Sequence, residues 1–479
     1  MNKVKDIAKN TSYLTLALVI QKLISFSYFI ILARYLGMEI LGQYYTAVAF
    51  TTILALVIDL GFANILIREV AKDQQKTNTW LRPIIGLKLI LSFVAAIIAY
   101  LFALLAGYDT LVLNLIAISF FSMIFDSFTN TFFSVIRGFH NLKFESIGAI
   151  GFQLIVFIFG LSLMRAGYSA LWIMSVMAFA ALVNFIFSSL VARFKFKLNI
   201  LPQFNYPISR KILIISWPFA LYNILQRIYF YLDSLLLGFL ANYVQVGLYQ
   251  IAFKIVFALQ FLPLAFIASL YPAMSAYWKK NREQLLITFK RAINYLIIIS
   301  LPIIFGVIAI APDVVVLMNA EREAVWPLRI IMLSLFFIFL NFPVGSLLNA
   351  CDRQKRNTLN MGIITATSVI LNLILIPIFQ AVGASITVLL TNAFLLILGL
   401  RACRKIIDYR FRDSAKILFK SLFTALLMAI LVYSSENYIN LYISVVLGGI
   451  FYFFFLFLIG GFQKQDIYSI LQSFKKQKS

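Results

Sequence analysis

Residues 401–420 read RACRKIIDYRFRDSAKILFK, seven basic side chains set between two long apolar runs. Working outward, clusters of the same kind recur in every second gap between apolar segments. Upstream they are Lys3, Lys5 and Lys9, then Arg68, Lys72, Lys76 and Arg82, then Arg137 and Lys143, then Arg193, Lys195, Lys197, Arg210 and Lys211. Next come Lys279, Lys280, Arg282, Lys290 and Arg291, then Arg353, Lys355 and Arg356, and finally a tail with Lys464, Lys475, Lys476 and Lys478. These gaps hold 33 of the 41 basic residues, whereas the intervening gaps hold only Arg34, Arg165 and Arg322. Basic loops stay on the cytoplasmic side of a membrane. The alternation therefore predicts both termini inside and an even number of crossings.

Composition agrees with a membrane solvent. The 479 residues are 62% hydrophobic and 12% charged, about half the charged fraction of roughly 25% in soluble domains. A crossing needs about 20 apolar residues. The sequence predicts an all-α polytopic membrane protein of about fourteen such helices, near 12–35, 41–67, 83–106, 111–136, 145–164, 169–192, 212–239, 246–272, 290–311, 326–350, 358–379, 382–401, 415–434 and 440–461. Connections are short on both sides, which leaves no room for a sizeable soluble domain. The net charge of +23 sits in the loops, where it orients the chain and meets anionic headgroups rather than nucleic acid. Cys351 and Cys403 fall at predicted cytoplasmic helix ends, where thiols stay reduced, and His140 is the only histidine. No metal site and no cofactor is expected.

The chain reads as a doubled unit. Leu36-Gly37, Gly42, Tyr44 and Ala47 repeat as Leu237-Gly238, Gly247, Tyr249 and Ala252, both following the pattern LG…G-x-Y-x-x-A. Gly167 before the sixth span corresponds to Gly383 before the twelfth. Six spans per copy preserve orientation, so two parallel, pseudo-symmetric six-helix lobes are expected. The expected boundaries are an N-terminal lobe at 1–193, a cytoplasmic linker at 194–211, a C-terminal lobe at 212–404, and two further helices with a basic tail at 405–479. Pro83 is the only proline of the first lobe, while Pro302, Pro343 and Pro377 are among several in the second. These kinks read either as hinges or as packing irregularities.

Charged groups at membrane depth cost about 2.5–3.5 kcal/mol each on insertion scales and normally face a wet interior. Lys22, Asp126, Arg227, Asp233 and Lys254 fall well inside predicted spans, whereas Lys88 and Arg329 lie near span ends and are expected to snorkel. Helical spacing groups Lys22 with Thr11, Thr15 and Ser25; Asp126 with Asn130 and Arg137; and Arg227 with Asn223 and Tyr231, turning Asp233 away. Gln250 stands one turn before Lys254. Two readings remain open: a hydrophilic cavity shared by these faces, or a bundle in which Arg227 and Lys254 pair with Asp233 and Asp126. Three deep cations among hydroxyls and tyrosines suit a multiply anionic, hydroxyl-rich group.

With these segments in hand, the chain resembles the polysaccharide (O-antigen or lipid-linked oligosaccharide) flippases of the multidrug/oligosaccharidyl-lipid/polysaccharide exporter superfamily. The resemblance rests on Leu32-Ala-Arg-Tyr-Leu-Gly37 with Gly42-Gln-Tyr44, and on Asp59-Leu-Gly-Phe62 leading to Ile67-Arg-Glu69. Asp233 to Gly238 with Gly247-Leu-Tyr249, and Asn372 to Pro377 with Gly383-Ala384, complete it. It implies an alternating-access transporter in the cell membrane that moves a polyprenyl-pyrophosphate oligosaccharide from the cytoplasmic to the outer leaflet. Lys22, Arg227 and Lys254 would hold the headgroup, and Arg34, Asp59, Arg68 and Glu69 would serve gates or packing. Asp126 and Asp233 are candidates for a coupling proton or sodium ion. Glycosyltransferases or a polymerase of the same pathway are the protein partners implied. A cation antiporter of the same superfamily and a membrane polysaccharide polymerase are the alternatives.

Overall fold

A backbone in lipid has no water to bond, and a helix satisfies it internally. The computed structural model describes residues 2–435, 438 and 440–461, with backbone alone at 2–16, 218, 219 and 269. These residues form α1 (Asn2–Asp59), α2 (Phe62–Lys72), α3 (Thr77–Leu105), α4 (Thr110–Gly138) and α5 (Lys143–Arg165). They continue as α6 (Ala170–Leu190), α7 (Tyr206–Leu240), α8 (Tyr243–Leu259), α9 (Phe261–Lys280) and α10 (Arg282–Ala309). The last are α11 (Ala311–Leu317), α12 (Val325–Ala350), α13 (Gln354–Cys403), α14 (Ala415–Ser435) and α15 (Leu441–Leu458). Among the described residues, eleven helical stretches are long and apolar enough to cross a membrane. Side chains such as Phe93, Leu105 and Phe454 point outward and are exposed, a surface suited to acyl chains rather than water. The protein is an all-α, multi-pass membrane protein. The tail lysines Lys464, Lys475, Lys476 and Lys478 lie outside the described residues, as do the side chains of Lys3, Lys5, Lys9, Thr11 and Thr15.

Several predicted span boundaries shift. Spans one and two form the single helix α1, broken only at Gly37 (φ 72°, ψ 169°), a conformation essentially reserved for glycine. Spans eleven and twelve similarly form α13 with a break at Gln380, where Gly383 lies so close to the Leu375 carbonyl that a Cβ would stand 2.3 Å away. Span two was expected to run to residue 67. Instead α1 stops at Asp59, Leu60 and Gly61 take positive φ (20° and 76°), and α2 begins at Phe62. The cause is contact with α7: a Cβ on Gly61 would meet Ala220 N at 2.9 Å and Ser216 O at 3.0 Å. Span eight is divided at Gln260 into α8 and α9. Pro263 has no N–H to offer the Leu259 carbonyl, so the helical ladder is interrupted there.

The described residues build two compact units. One runs through Phe261 and takes in Met318–Glu321 and Met361–Thr387; the other comprises Leu262–Leu317, Arg322–Asn360 and the described residues from Val388 onward. In the first unit the two motif copies meet. A Cβ on Gly42 would stand 1.8 Å from Tyr243 O, and one on Gly247 would stand 2.1 Å from Met38 O. Each copy's glycine thus admits the backbone of the other copy, and α1 lies directly on α8. Tyr44 and Tyr249, two residues beyond each glycine, are both fully buried. A separate apolar core joins α2, α3, α4 and α7 through Phe62, Leu66, Ile84, Phe132 and Ile212. The segment after α6 is strapped to α3 by Gln203 N donating to Arg82 O (3.1 Å) and Arg82 Nε donating to Leu201 O (3.3 Å).

In the second unit α10 packs between α12 and α14. Tyr452 of α15 donates to Ile298 O at 2.9 Å, and Arg282 stacks on Trp278 while donating to Ile406 O at 3.2 Å.

Candidate functional site

The end of α1 at Gly61 places Asp59 where three helices converge. Lys88 of α3 donates to Asp59 Oδ1 (2.8 Å) and to Ser127 O (2.8 Å) and Oγ (2.7 Å), while Ser127 Oγ donates to Asp59 Oδ1 at 2.6 Å. Arg227 of α7 donates through Nη1 to Asp59 Oδ2 at 3.4 Å. Lys88 is only 2% exposed, so the expectation that it snorkels is wrong. Its ammonium is neutralised inside the bundle by the carboxylate that the α1–α2 break supplies. Arg227 is different: its side chain is 38% exposed and spends one N–H on a long contact. Its remaining donors are available to the space beside it.

That space is a cavity of about 670 Å³. Asp59, Asp126, Asn130, Gln226, Arg227 and Tyr231 line it near the ion cluster. Arg137 and Glu145 also line it, joined as a fork: Nε donates to Oε2 at 2.6 Å and Nη2 to Oε1 at 2.5 Å. The three-to-four-residue stripe read on α4 thus supplies Asp126, Asn130 and Arg137 to one wall. Asp126 is exposed within this setting and makes no ion pair among the described residues. Amides and hydroxyls from Gln21, Thr52, Thr129 and Asn184 complete a wall rich in hydrogen-bonding groups.

The other two deep cations stand together elsewhere in the same unit. Lys22 Nζ lies 3.5 Å from the centroid of Phe257, and Lys254 Nζ lies 4.3 Å from that of Tyr45 and 6.0 Å from that of Phe29. Lys254 and Phe257 are one turn apart on α8, so the two ammonium groups are neighbours. Neither has a carboxylate within ion-pair distance among the described residues. Aromatic faces supply partial compensation. The lysine pair is adjacent to the cavity: Gln21 and Phe230 line that cavity, and Phe230 touches Phe257.

Asp233 faces away from Arg227, and its surroundings are uncharged. Tyr249 Oη donates to Oδ2 at 3.0 Å, and Asn372 Nδ2 of α13 donates to Oδ1 at 2.5 Å. Gln250 is buried and donates to Ser234 Oγ at 2.8 Å, leaving its own carbonyl oxygen without a partner. Neither Arg227 nor Lys254 pairs with Asp233 or Asp126. Asn223 and Arg34 are exposed, Arg34 one turn before the Gly37 break. Arg68 and Lys72 both bind Glu69 (2.7 and 3.1 Å) at the surface end of α2. Lys88, Ser127, Glu145 and Asn372 are structural partners of this site that no spacing rule selected. Gly61 was the available signal, since a glycine just past the last helical turn is a helix-stop pattern.

Comparison with known proteins gives this geometry a class. A family model described as polysaccharide biosynthesis protein matches residues 7–278, more than half of the chain, and one described as MatE matches 218–378. The Probable flippase AglR of Haloferax volcanii is 29% identical over 194 residues, spanning 39% of this chain and 40% of that protein. An uncharacterized membrane protein of Methanocaldococcus jannaschii is 23% identical over 410 residues, 79% of this chain and 80% of the other. Among solved structures, lipid II flippase MurJ in an inward closed conformation has a TM-score of 0.78 at 15% identity, covering 93% of this chain and 98% of that one. An inward-facing multidrug resistance MATE family transporter of the MOP superfamily has a TM-score of 0.61 at 14% identity, covering 81% and 98%. The fold is that of the lipid II flippase and of the multidrug resistance transporters of the MOP superfamily. Within that class, the chain belongs to the polysaccharide biosynthesis protein family.

Proposed function

We propose that the protein is a flippase carrying a polyprenyl-pyrophosphate oligosaccharide from the cytoplasmic to the outer leaflet for surface polysaccharide assembly. The observation that carries this reading is the juxtaposition of two uncompensated ammonium groups, Lys22 and Lys254, with a cavity walled by amides, hydroxyls and paired ions. A pyrophosphate diester bears two negative charges, which two lysines match, and Arg227 adds a planar fork to the headgroup site. Such a headgroup cannot cross hydrocarbon alone, because its polar groups would be desolvated without partners. A wet, cationic path with alternating openings removes that barrier, and no bond is made or broken. The lipid tail remains in the bilayer.

The finer architecture follows from the same reading. Counting each arm of α1 and α13 separately, and adding α7, brings the eleven stretches to fourteen crossings. They divide into lobes at 1–193 and 212–404, joined by 194–211 and followed by 405–479, with both termini cytoplasmic in the cell membrane. Arg34, Asp59, Arg68 and Glu69 act at the ends of the path. Asp126 or Asp233 carries a coupling proton or sodium ion. Glycosyltransferases or a polymerase meet the basic cytoplasmic loops.

Lipid analysis of a deletion strain tests the reading. A completed polyprenyl-pyrophosphate glycan should accumulate and be cleared by wild-type protein but not by a stably expressed Arg227→Ala variant. Absence of any accumulating lipid-linked glycan, with surface polymer unchanged, refutes it. The exposed carboxylate of Asp126 and the MatE match favour one second reading, a cation antiporter, and small-molecule efflux lost in Asp126→Asn would identify it.

A further inference from the structure

The formal charges of the cavity cancel. Its acidic lining groups are Asp59, Asp126 and Glu145, and its basic ones are Arg137 and Arg227. Lys88, bonded to Asp59 behind the wall, supplies the missing positive charge. Glu145 is committed to Arg137 through two hydrogen bonds, and Asp59 is committed to Lys88 and Arg227. Asn130, Asn184, Gln21 and Gln226 line the same space. A carboxylate-bearing sugar entering this space would meet no cation that lacks a carboxylate partner, only the spare N–H groups of Arg227, and would face the free carboxylate of Asp126. An uncharged sugar would find amide donors and acceptors in the wall, which is what hydroxyl and acetamido groups require.

We infer that this cavity is the sugar subsite and selects glycans whose lipid-proximal sugars are uncharged, with Asp126 as the residue that excludes uronates. The inference rests on the flippase reading, in which the neighbouring lysine pair takes the pyrophosphate. Proximity supports the division: Gln21 lines the cavity and Lys22 follows it in the chain. The first sugar is covalently attached to the pyrophosphate and must lie within a few ångströms of it.

Binding to purified full-length protein in detergent micelles tests the assignment with three probes: the methyl diester of geranylgeranyl pyrophosphate as the sugar-free lipid, matched in pyrophosphate charge, and geranylgeranyl pyrophosphate bearing N-acetylglucosamine or glucuronic acid. Wild-type protein should bind the N-acetylglucosamine probe at least about tenfold more tightly than the sugar-free one, the gain of one or two well-placed hydrogen bonds. The glucuronate probe should bind no more tightly than the sugar-free one. Asn130→Ala with Asn184→Ala should remove the sugar increment and leave sugar-free binding unchanged. Asp126→Asn gives the cavity a net positive charge and should raise glucuronate binding about tenfold, one charge-assisted contact. Tighter wild-type binding of glucuronate than of N-acetylglucosamine overturns the inference, as does an Asp126→Asn variant with unchanged preference. Failure of the flippase reading is separable: none of the three probes would then bind, because all share the lipid pyrophosphate.

Discussion

Two acidic residues of the same unit, Asp59 half-buried at the cavity wall and Asp233 fully buried, are held in opposite ways. Asp59 is surrounded by cations, Lys88 at 2.8 Å and Arg227 at 3.4 Å. Asp233 is held by neutral donors alone, the Tyr249 and Ser368 hydroxyls and the Asn372 amide. Helix α7 contributes to both, presenting Arg227 on one face and Asp233 on another. The first arrangement is an ion cluster in which one carboxylate serves two cations, so removing Asp59 strands the charge of buried Lys88. The second is a carboxylate with dipolar support only, so removing its charge strands no counter-ion. One cluster is therefore suited to fixing a framework beside the cavity, and the other to a group whose charge changes during a cycle.

Asp59→Asn should produce the largest loss. It leaves Lys88, fully buried, with neutral acceptors alone, Ser127 and the new amide oxygen, and no counter-charge. Breaking a buried pair in this way costs about 3–5 kcal/mol. A marked drop in melting temperature in detergent is expected, and Asp59→Asn combined with Lys88→Met should recover much of it, because the one charge left without a partner, Arg227, is 38% exposed and open to water. If the single variant melts like wild type, Lys88 is not held as an ion and the contrast between the two clusters collapses.

The second comparison uses the repeated motif itself. Tyr249 Oη donates to a carboxylate, whereas its counterpart Tyr44 donates to the weak acceptor Sδ of Met177 at 2.7 Å. Tyr249→Phe should cost about 1–3 kcal/mol, the range for leaving a buried acceptor unsatisfied. Tyr44→Phe should cost less than about 1 kcal/mol, because a thioether gains little from the bond. Melting temperatures of the two variants under one condition decide this. Equal losses would mean that the tyrosine rings, not their hydroxyls, carry the stability.

How much of this was legible depended on whether a feature lives in one helix or between several. The LG…G-x-Y-x-x-A copies marked positions 42 and 247, because close backbone approach demands glycine whatever the partner. The same pattern could not say that the partner of each copy is the other. Periodicity separated the Arg227–Tyr231 face from Asp233, since 100° per residue fixes faces within α7 alone. It misjudged Lys88, whose distance from a span end was read as freedom to reach the interface. What decides that side chain is the helix stop at Gly61, which brings Asp59 to it from 29 residues away. The three deep cations were grouped as one set because depth is a one-dimensional coordinate. Arg227 and the lysine pair differ in the lateral coordinate, which only packing supplies.

Asp233→Asn sharpens the contrast most, because its expected effect on stability is the smallest. The amide is nearly isosteric with the carboxylate. Its oxygen still accepts from Asn372 Nδ2, and its new N–H₂ can donate to Tyr249 Oη, since a hydroxyl accepts as well as donates. Of these two hydrogen bonds one survives, the other is reversed at the cost of the acceptor for the Tyr249 O–H, and a buried charge is removed. Stability should therefore stay within about 1 kcal/mol of wild type or rise, as it often does when a buried ion is replaced by a neutral group. If Asp233 carries the coupling ion, clearance of the lipid-linked glycan should nevertheless fail in the deletion strain. A variant that is both stable and fully active would reduce Asp233 to a packing residue and leave Asp126 as the coupling candidate. A variant as unstable as Asp59→Asn would mean that a cation reaches Asp233 after all, and the two clusters would then be alike.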